Sequence, residues 1–413
     1  MKKLMVIVMV LMLSATMVYA GGAKEAEKKE GPVVLTVMAP WAEGEMEGFL
    51  PVLRAFEAQN PGIKVEYRTG RPEDTATMLS NQFAIGKTSA DIIDTPWSWF
   101  IVQQAQAGHI MQMNDVISAD EFLPGALNNV SVGDAIYGAS SVGGVTIPEY
   151  RKSFFTKNNL KDPAECKDWN EFIDLLDAIA AIEGVQAPLG SGGGVGWSFT
   201  SIIEAFIITF GGADMHVGLT NGSISWLDPK VKAALMDNLL PLLQQGYFGE
   251  PDEYTAVLEA MWSGKHGIYI GDSTDNMSLS PAEDRGVFTL PGQDAVVLWN
   301  DFWYVPAYTE HPEEAKKLFK FLATEGQKIQ ISNGGRIGTY AGIPLEMYPE
   351  SEREVFEVIK DKIVLPDMDD TIGGKFQSVI WDQMGLLWSD PTEKTLDSIL
   401  YILQEASEET LKK

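Results

Sequence analysis

The chain has 413 residues, 45% hydrophobic and 22% charged, with a formal net charge of −27. That length is ample for two hydrophobic cores, and the acidic excess argues against nucleic acid and anionic lipid as partners. Its one cysteine, Cys166, rules out an intrachain disulfide, and the four histidines, His109, His216, His266 and His311, are too scattered for a zinc site, so neither metal nor cofactor is expected.

Residues 1–20, MKKLMVIVMVLMLSATMVYA, have the three parts of a secretory signal: Lys2 and Lys3, an apolar run, and the small-residue site Val18-Tyr19-Ala20. No cysteine follows that site directly, so no lipid anchor is evident and a two-membrane bacterium would hold the protein in its periplasm. Loss of Lys2 and Lys3 moves the net charge from −27 to −29. Residues 21–31 read as a charged tether too polar to pack. No other apolar run reads as a membrane span.

Residues 33–39, VVLTVMA, read as a short buried strand. Met46, Phe49, Leu50, Leu53 and Phe56 then share one helical face up to the stop at Asn60-Pro61-Gly62, with Pro51 marking either a late helix start or a kink. IKVEY at 63–67 alternates as a second strand, completing a βαβ unit and implying a parallel sheet. In such sheets ligands bind beyond the carboxyl ends of the strands. That end here is APWAEGE, with Trp41 beside Glu43 and Glu45; the alternative is that Trp41 covers the sheet edge and the glutamates favour the helix N-terminus. A second strand end repeats the pattern: ADIID at 90–94 runs into Thr95, Pro96 and Trp97.

These stretches, with AFEAQNPGIKVEYR, resemble the extracellular solute-binding proteins of ABC importers, a large and mainly sugar-binding family that includes the maltose- and oligosaccharide-binding proteins. Further matches follow in the family's order. They are Y-x-K-x-x-F within YRKSFFTKNNL (150–160), EAMWSGKHGIYIGDSTDN (259–276), HPEEAKKLFKFL (311–322), Gly334-Gly335-Arg336-Ile337-Gly338 and a closing amphipathic helix over 392–413. Two departures stand out: the missing lipidation cysteine, and WNDFW after the second crossing, where the family usually has a glycine-rich strand. The glycine-rich LGSGGGVGWSF (189–199) fits neither nucleotide pattern, because the phosphate-loop lysine is missing and Val195 stands at the third glycine. It reads as a loop presenting Trp197, followed by the apolar helix SIIEAFIITF ending at Gly211-Gly212.

The resemblance implies an α/β fold of two lobes, each a mostly parallel sheet flanked by helices, joined by a three-segment hinge. The first lobe is expected over 32–139 plus 297–336, and the second over 140–296 plus 337–413. It implies a monomer that binds a small-molecule ligand between the lobes, a sugar such as a di- or oligosaccharide, and delivers it unchanged to a membrane permease. Tryptophan faces suit a pyranose's C–H faces, and carboxylates and amides suit its hydroxyls. Eleven tryptophans are present. Trp41, Trp97, Trp197 and Trp299 are the expected plates, with Glu45, Asp94, Thr95, Asp272, Asp301 and Arg336 as polar partners; Asp272 takes its place from the family's loop after a strand. Trp99 and Trp303 fit pocket or packing equally. Trp169, Trp226, Trp262, Trp381 and Trp388 fall on helical patterns and read as packing. Competing classes are a binding protein for a non-sugar solute such as a polyamine or peptide, since aromatic-plus-acid pockets also suit cations, and a secreted glycoside hydrolase, which needs two opposed carboxyls. No nucleophile elbow is present. If Trp97 is a plate exposed between open lobes, its truncation weakens binding with little effect on stability. N-terminal sequencing of exported protein is expected to begin at Gly21; a retained Met1 or an acylated terminus would contradict the cleaved, unlipidated form.

Overall fold

The structure is a computed structural model that describes residues 31–412 apart from 124, 195, 274–280 and 335; the expected secretory signal and nearly all of the expected tether lie outside the described residues. The βαβ unit forms as the apolar pattern requires. Strand β1 (Val33–Ala39) pairs in parallel with β2 (Ile63–Thr69) and with β3 (Ile92–Thr95). The helix Glu43–Gln59 connects the first two and runs through Pro51. It buries Phe49, Val52, Leu53 and Phe56 and leaves Met46 and Leu50 partly exposed. The buried stripe is therefore turned toward Val52 from the expected face.

A small hairpin, β4 (Ser131–Val132) with β5 (Ala135–Ile136), precedes the long strand β6 (Gly138–Arg151). The remaining strands are β7 (Ala187–Gly190), β8 (His266–Asp272), β9 (Arg285–Val287), β10 (Ala295–Tyr304) and β11 (Ile363–Pro366). The sheet order is β2-β1-β3-β10-β6-β8-β7, with β11 on β10 and β9 on β6. One core gathers around β1–β3 and the helices Glu43–Gln59, Ser98–Gln106 and Pro312–Ala323. The other gathers around β7, β8 and the helices Trp169–Ala180, Trp197–Thr220, Gly374–Ser389 and Glu393–Leu411. The architecture is thus α/β with two lobes.

Strand β6 runs from the first core to the second, and β10 runs back toward the first from a small cluster of Ala295 and Val297 with Ile208 of the helix Trp197–Thr220. Ala139 belongs to the first core and Tyr150 to the second, while β10 ends in the first core with Phe302, Trp303 and Tyr304. Strands that cross out and back run in opposite directions, so β6 and β10 pair antiparallel. Parallel pairing is accordingly confined to β1·β2, β1·β3, β7·β8 and β10·β11, and β8 and β9 pair antiparallel with β6. The second lobe's sheet is mixed where a mostly parallel one was expected. The segment at Arg336 and Ile337, the third crossing, joins β6 through paired backbone bonds between Gly143 and Ile337, 2.7 and 2.8 Å.

Gly143 is required at this junction, because a Cβ there would lie 1.9 Å from the Trp299 carbonyl oxygen. Next to it, the register shifts between Asn300 and Phe302, and the Ser141 hydroxyl donates to the Asp301 carbonyl at 3.2 Å. Such an irregularity locally re-aims side chains, here at Asp301.

The run Trp197–Thr220 is two helices: the first ends at Gly211-Gly212 as expected, where Gly212 leaves helical geometry (φ 75°, ψ 174°), and a second follows. By length and composition the run is apolar enough to cross a membrane, which the sequence reading had not seen here, but most of it is buried against the second core.

A buried ion cluster holds the end of β8. Arg285 donates to Glu149 at 2.6 Å, to Glu352 at 3.0 Å and to the Ser273 carbonyl, next to Asp272, at 2.6 Å. One guanidinium faces two buried carboxylates, and burial holds the Glu352 carboxyl up at about 7, against an ordinary 4.5, despite the arginine. A carboxyl raised in the folded state binds a proton there that the unfolded chain has released. Its stabilising contribution is therefore full below about pH 4.5 and is lost as pH rises through about 7. Urea titrations should show this slope flattened in Glu352→Gln. Arg285→Met, which strands two buried carboxylates, should cost about 3–5 kcal/mol.

Candidate functional site

A cavity of about 320 Å³ opens where the two lobes and the three crossings meet. That is within the size range of small-molecule sites. From the first lobe come Pro40 and Trp41 after β1, Pro72 and Glu73 at the start of the helix Pro72–Phe83, and Pro96 and Trp97 after β3. The crossings supply Trp299, Asp301 and Arg336. From the second lobe come Trp197, Ser201, Tyr254, Asp272, Asp367, Asp370 and Trp381.

Seven of the expected site residues are therefore brought together: Trp41, Trp97, Trp197, Asp272, Trp299, Asp301 and Arg336. Asp94 and Thr95 are buried inside β3, across from Trp303 and Phe302, and are not among the described lining residues. The strand simply runs past them before it reaches the cavity, and Thr95 accepts from the Trp97 amide at 3.3 Å. The side chain of Glu45 lies outside the described residues. Trp303 is packing, edge-on to Trp41 at 5.4 Å, and Trp99 stacks on Trp97 at 5.6 Å.

The first wall is built around Trp41. Its ring is 2% exposed, packs on Phe49 at 4.8 Å, and donates its indole N–H to Asp301 at 2.8 Å. Tyr67 fixes the same residue from β2 by donating to its carbonyl at 2.6 Å. Arg336 approaches Asp301 at 4.0 Å and lies over the rings of Trp41 and Trp299, at 5.7 and 5.6 Å. The guanidinium is thereby held by charge and by two aromatic faces.

The second wall was only partly visible in the sequence. Trp381 lines the cavity, contrary to its reading as packing, and donates to Asp369 at 2.6 Å. Gly196 permits this, since a Cβ there would sit 2.3 Å from Trp381 Cβ. Trp197 leans on Tyr254 at 5.3 Å. Asp367 and Asp370 follow β11 and open the short helix Met368–Ile372, where Asp367 accepts from the Asp370 amide at 2.9 Å. The end of β11 thus carries acids as the strand ends at 39–45 and 94–97 do, without the tryptophan that accompanies them there. Strand β11 is only four residues long, too short for apolar periodicity to mark LPDMDD as a strand end. No local signal marks Trp381 or Tyr254, whose helical spacing is that of core residues.

Around Asp369 the carboxylates crowd. Asp369 accepts from Thr200 at 2.9 Å, and Gln377 donates to Asp370 at 2.6 Å. Oxygens of Glu204, Asp367 and Asp369 all lie within 4.8 Å of one another, a spacing that could hold a cation. The expectation of no metal considered only histidine and thiol spacing and did not see this group, whose members are distant in sequence. Burial, reinforced by neighbouring carboxylates, raises the Asp367, Asp370 and Glu204 carboxyls well above the ordinary range. Burial also depresses the His216 imidazole, 2.5 Å from Glu204, to about 4, so that ring is neutral.

Truncation of the two walls separates packing from lining. Trp41→Ala should cost about 3–5 kcal/mol of stability without ligand, as for a core aromatic. Trp97, 8% exposed and stacked on Trp99, should behave as a core residue too, in contrast to the expectation of little effect. Trp197→Ala, only half-buried, should cost clearly less; urea unfolding of the unliganded variants checks the order.

The family profile described as bacterial extracellular solute-binding protein matches residues 39–329. An uncharacterized ABC transporter extracellular-binding protein of Pyrococcus horikoshii is 40% identical over 380 residues, covering 92% of this chain and 89% of the relative. Among solved structures, a bacterial solute receptor with an exclusive substrate preference for β-D-galactopyranose superposes with a TM-score of 0.80 at 16% identity, covering 92% of this chain and 100% of the other. A chitin oligosaccharide binding protein gives 0.77 at 20% identity, covering 91% and 99%. The two-lobed fold, the profile match and the 40% relative lead to one conclusion: the chain belongs to the bacterial extracellular solute-binding proteins of ABC transporters.

Proposed function

We propose that this protein binds a sugar, a di- or oligosaccharide, between its lobes and delivers it unchanged to the membrane permease of an ABC importer. The observation that carries the reading is the lining of the interlobe cavity. Indole faces stand on both walls, with carboxylates and one guanidinium between them. Pyranose C–H faces stack on such plates, while hydroxyls donate to the acids. The similar structures described as binding galactopyranose and chitin oligosaccharide support a carbohydrate ligand, as does the family.

In this reading the lobes are residues 32–139 plus 297–336 and residues 140–296 plus 337–413. They close about β6, β10 and the segment at Arg336, as hinge-closing receptors do. The closed form is what the permease recognises. The protein is monomeric, acts in the periplasm after removal of residues 1–20, and performs no catalysis.

A thermal-shift screen of mono-, di- and oligosaccharides with polyamines tests this. Ligand that binds only the folded state raises the melting temperature, by mass action. A sugar is expected to do so and to be recovered intact after incubation. A shift by polyamines alone would replace the sugar reading, and hydrolysis beyond one equivalent would revive the glycosidase.

A further inference from the structure

The wall that follows β11 gathers carboxyl groups that no basic side chain balances. Asp367 and Asp370 line the cavity, and Asp369 and Glu204 adjoin them. Their described partners are the Thr200 hydroxyl, the Trp381 and Gln377 side chains, backbone amides, the neutral His216 ring and, between Asp367 and Asp369, each other. Among the described residues no lysine or arginine forms an ion pair with any of the four. Arg336, the basic side chain in the lining, is already engaged with Asp301 and two indoles.

We propose that the ligand supplies the missing charge: it is a sugar bearing a protonated amine, whose ammonium group sits against Asp367 and Asp370. The proposal rests on the sugar-binding reading and narrows its substrate class. Lobe closure strips water from these carboxylates, and a buried acid without a counter-charge is costly. Sugar hydroxyls can donate hydrogen bonds, but they bring no charge. An ammonium group brings three N–H donors and the charge together. The rings of Trp197, Tyr254 and Trp381 on the same wall offer π faces that also favour a cation. The raised carboxyls of Asp367 and Asp370 agree with an acidic wall lacking a counter-ion.

Calorimetric titration at neutral pH decides the matter, using D-glucosamine, N-acetyl-D-glucosamine and D-glucose, the matching galacto series, and the disaccharides of each. Spermidine alone and calcium alone complete the set. The amine-bearing member of a series should bind about tenfold or more tightly than its acetylated and neutral counterparts, the scale of a charge-assisted hydrogen bond. Added salt should narrow that gap. Asp370→Asn, or Asp367→Asn should the first fail to fold, should bring the amino sugar down to the level of the other two. Melting of the unliganded variant reports folding. Equal or tighter binding of the neutral or acetylated sugar overturns the charge requirement and leaves the sugar reading standing. Binding of spermidine with no sugar binding overturns both. Calcium that binds alone and abolishes the amine preference assigns the acids to a metal and overturns the proposal.

Discussion

The cleft depends on one close approach of backbone. At Gly143 the strand β6 meets β10 on one side and the third crossing on the other, with no room for a side chain against the Trp299 carbonyl. A larger residue there would push β10 away, and Trp299, Asp301 and Arg336 would move with the crossings. The neighbouring register shift acts in the same place, aiming Asp301 at the indole of Trp41. A hinge is usually pictured as a flexible link. Here the crossings are also the floor of the cavity, so any shift of the crossing strands moves its polar side chains as well.

Tryptophans do double work in the two walls. Trp41 presents a face and spends its N–H on Asp301; Trp381 does the same for Asp369. Each bond orients a carboxylate that would otherwise rotate, and each fixes an indole that would otherwise tilt. The walls differ in charge balance. In the first, Arg336 stands near Asp301, and the local sum is close to neutral. In the second, four acids share neutral donors only, and burial with carboxylate crowding raises Glu204, Asp367 and Asp370 well above the ordinary carboxyl range. The asymmetry makes one side of the cavity a neutral stacking surface and the other an acidic one.

Much of the first wall was legible in the sequence. Strand, helix and strand follow from apolar periodicity, and carboxyl ends of parallel strands are where ligands sit. Trp41 and Trp97 follow from that rule with no knowledge of packing. Asp94 does not, because the rule locates a strand end only to within a residue or two, and one residue's shift along a strand turns a side chain to the other face. The second wall was half hidden. Trp197 and Asp272 sit beside loops that advertise themselves, while Trp381 and Tyr254 lie on helices where a lining residue and a core residue have the same spacing.

By itself, then, the sequence determined the class of fold, the family, the first lobe's strands and most of the indoles that line the cavity, because these rest on local periodicity and on motifs kept in order along the chain. Tertiary structure alone decided which acids share a wall. Glu204, Asp367 and Asp369 converge only when the helix Trp197–Thr220 packs beside the turn after β11, and electrostatic crowding is a function of distance in space. It likewise decided that two glycines, Gly143 and Gly196, would be structural necessities, since what makes them so is the nearness of Trp299 and Trp381, distant in sequence and adjacent only in the fold.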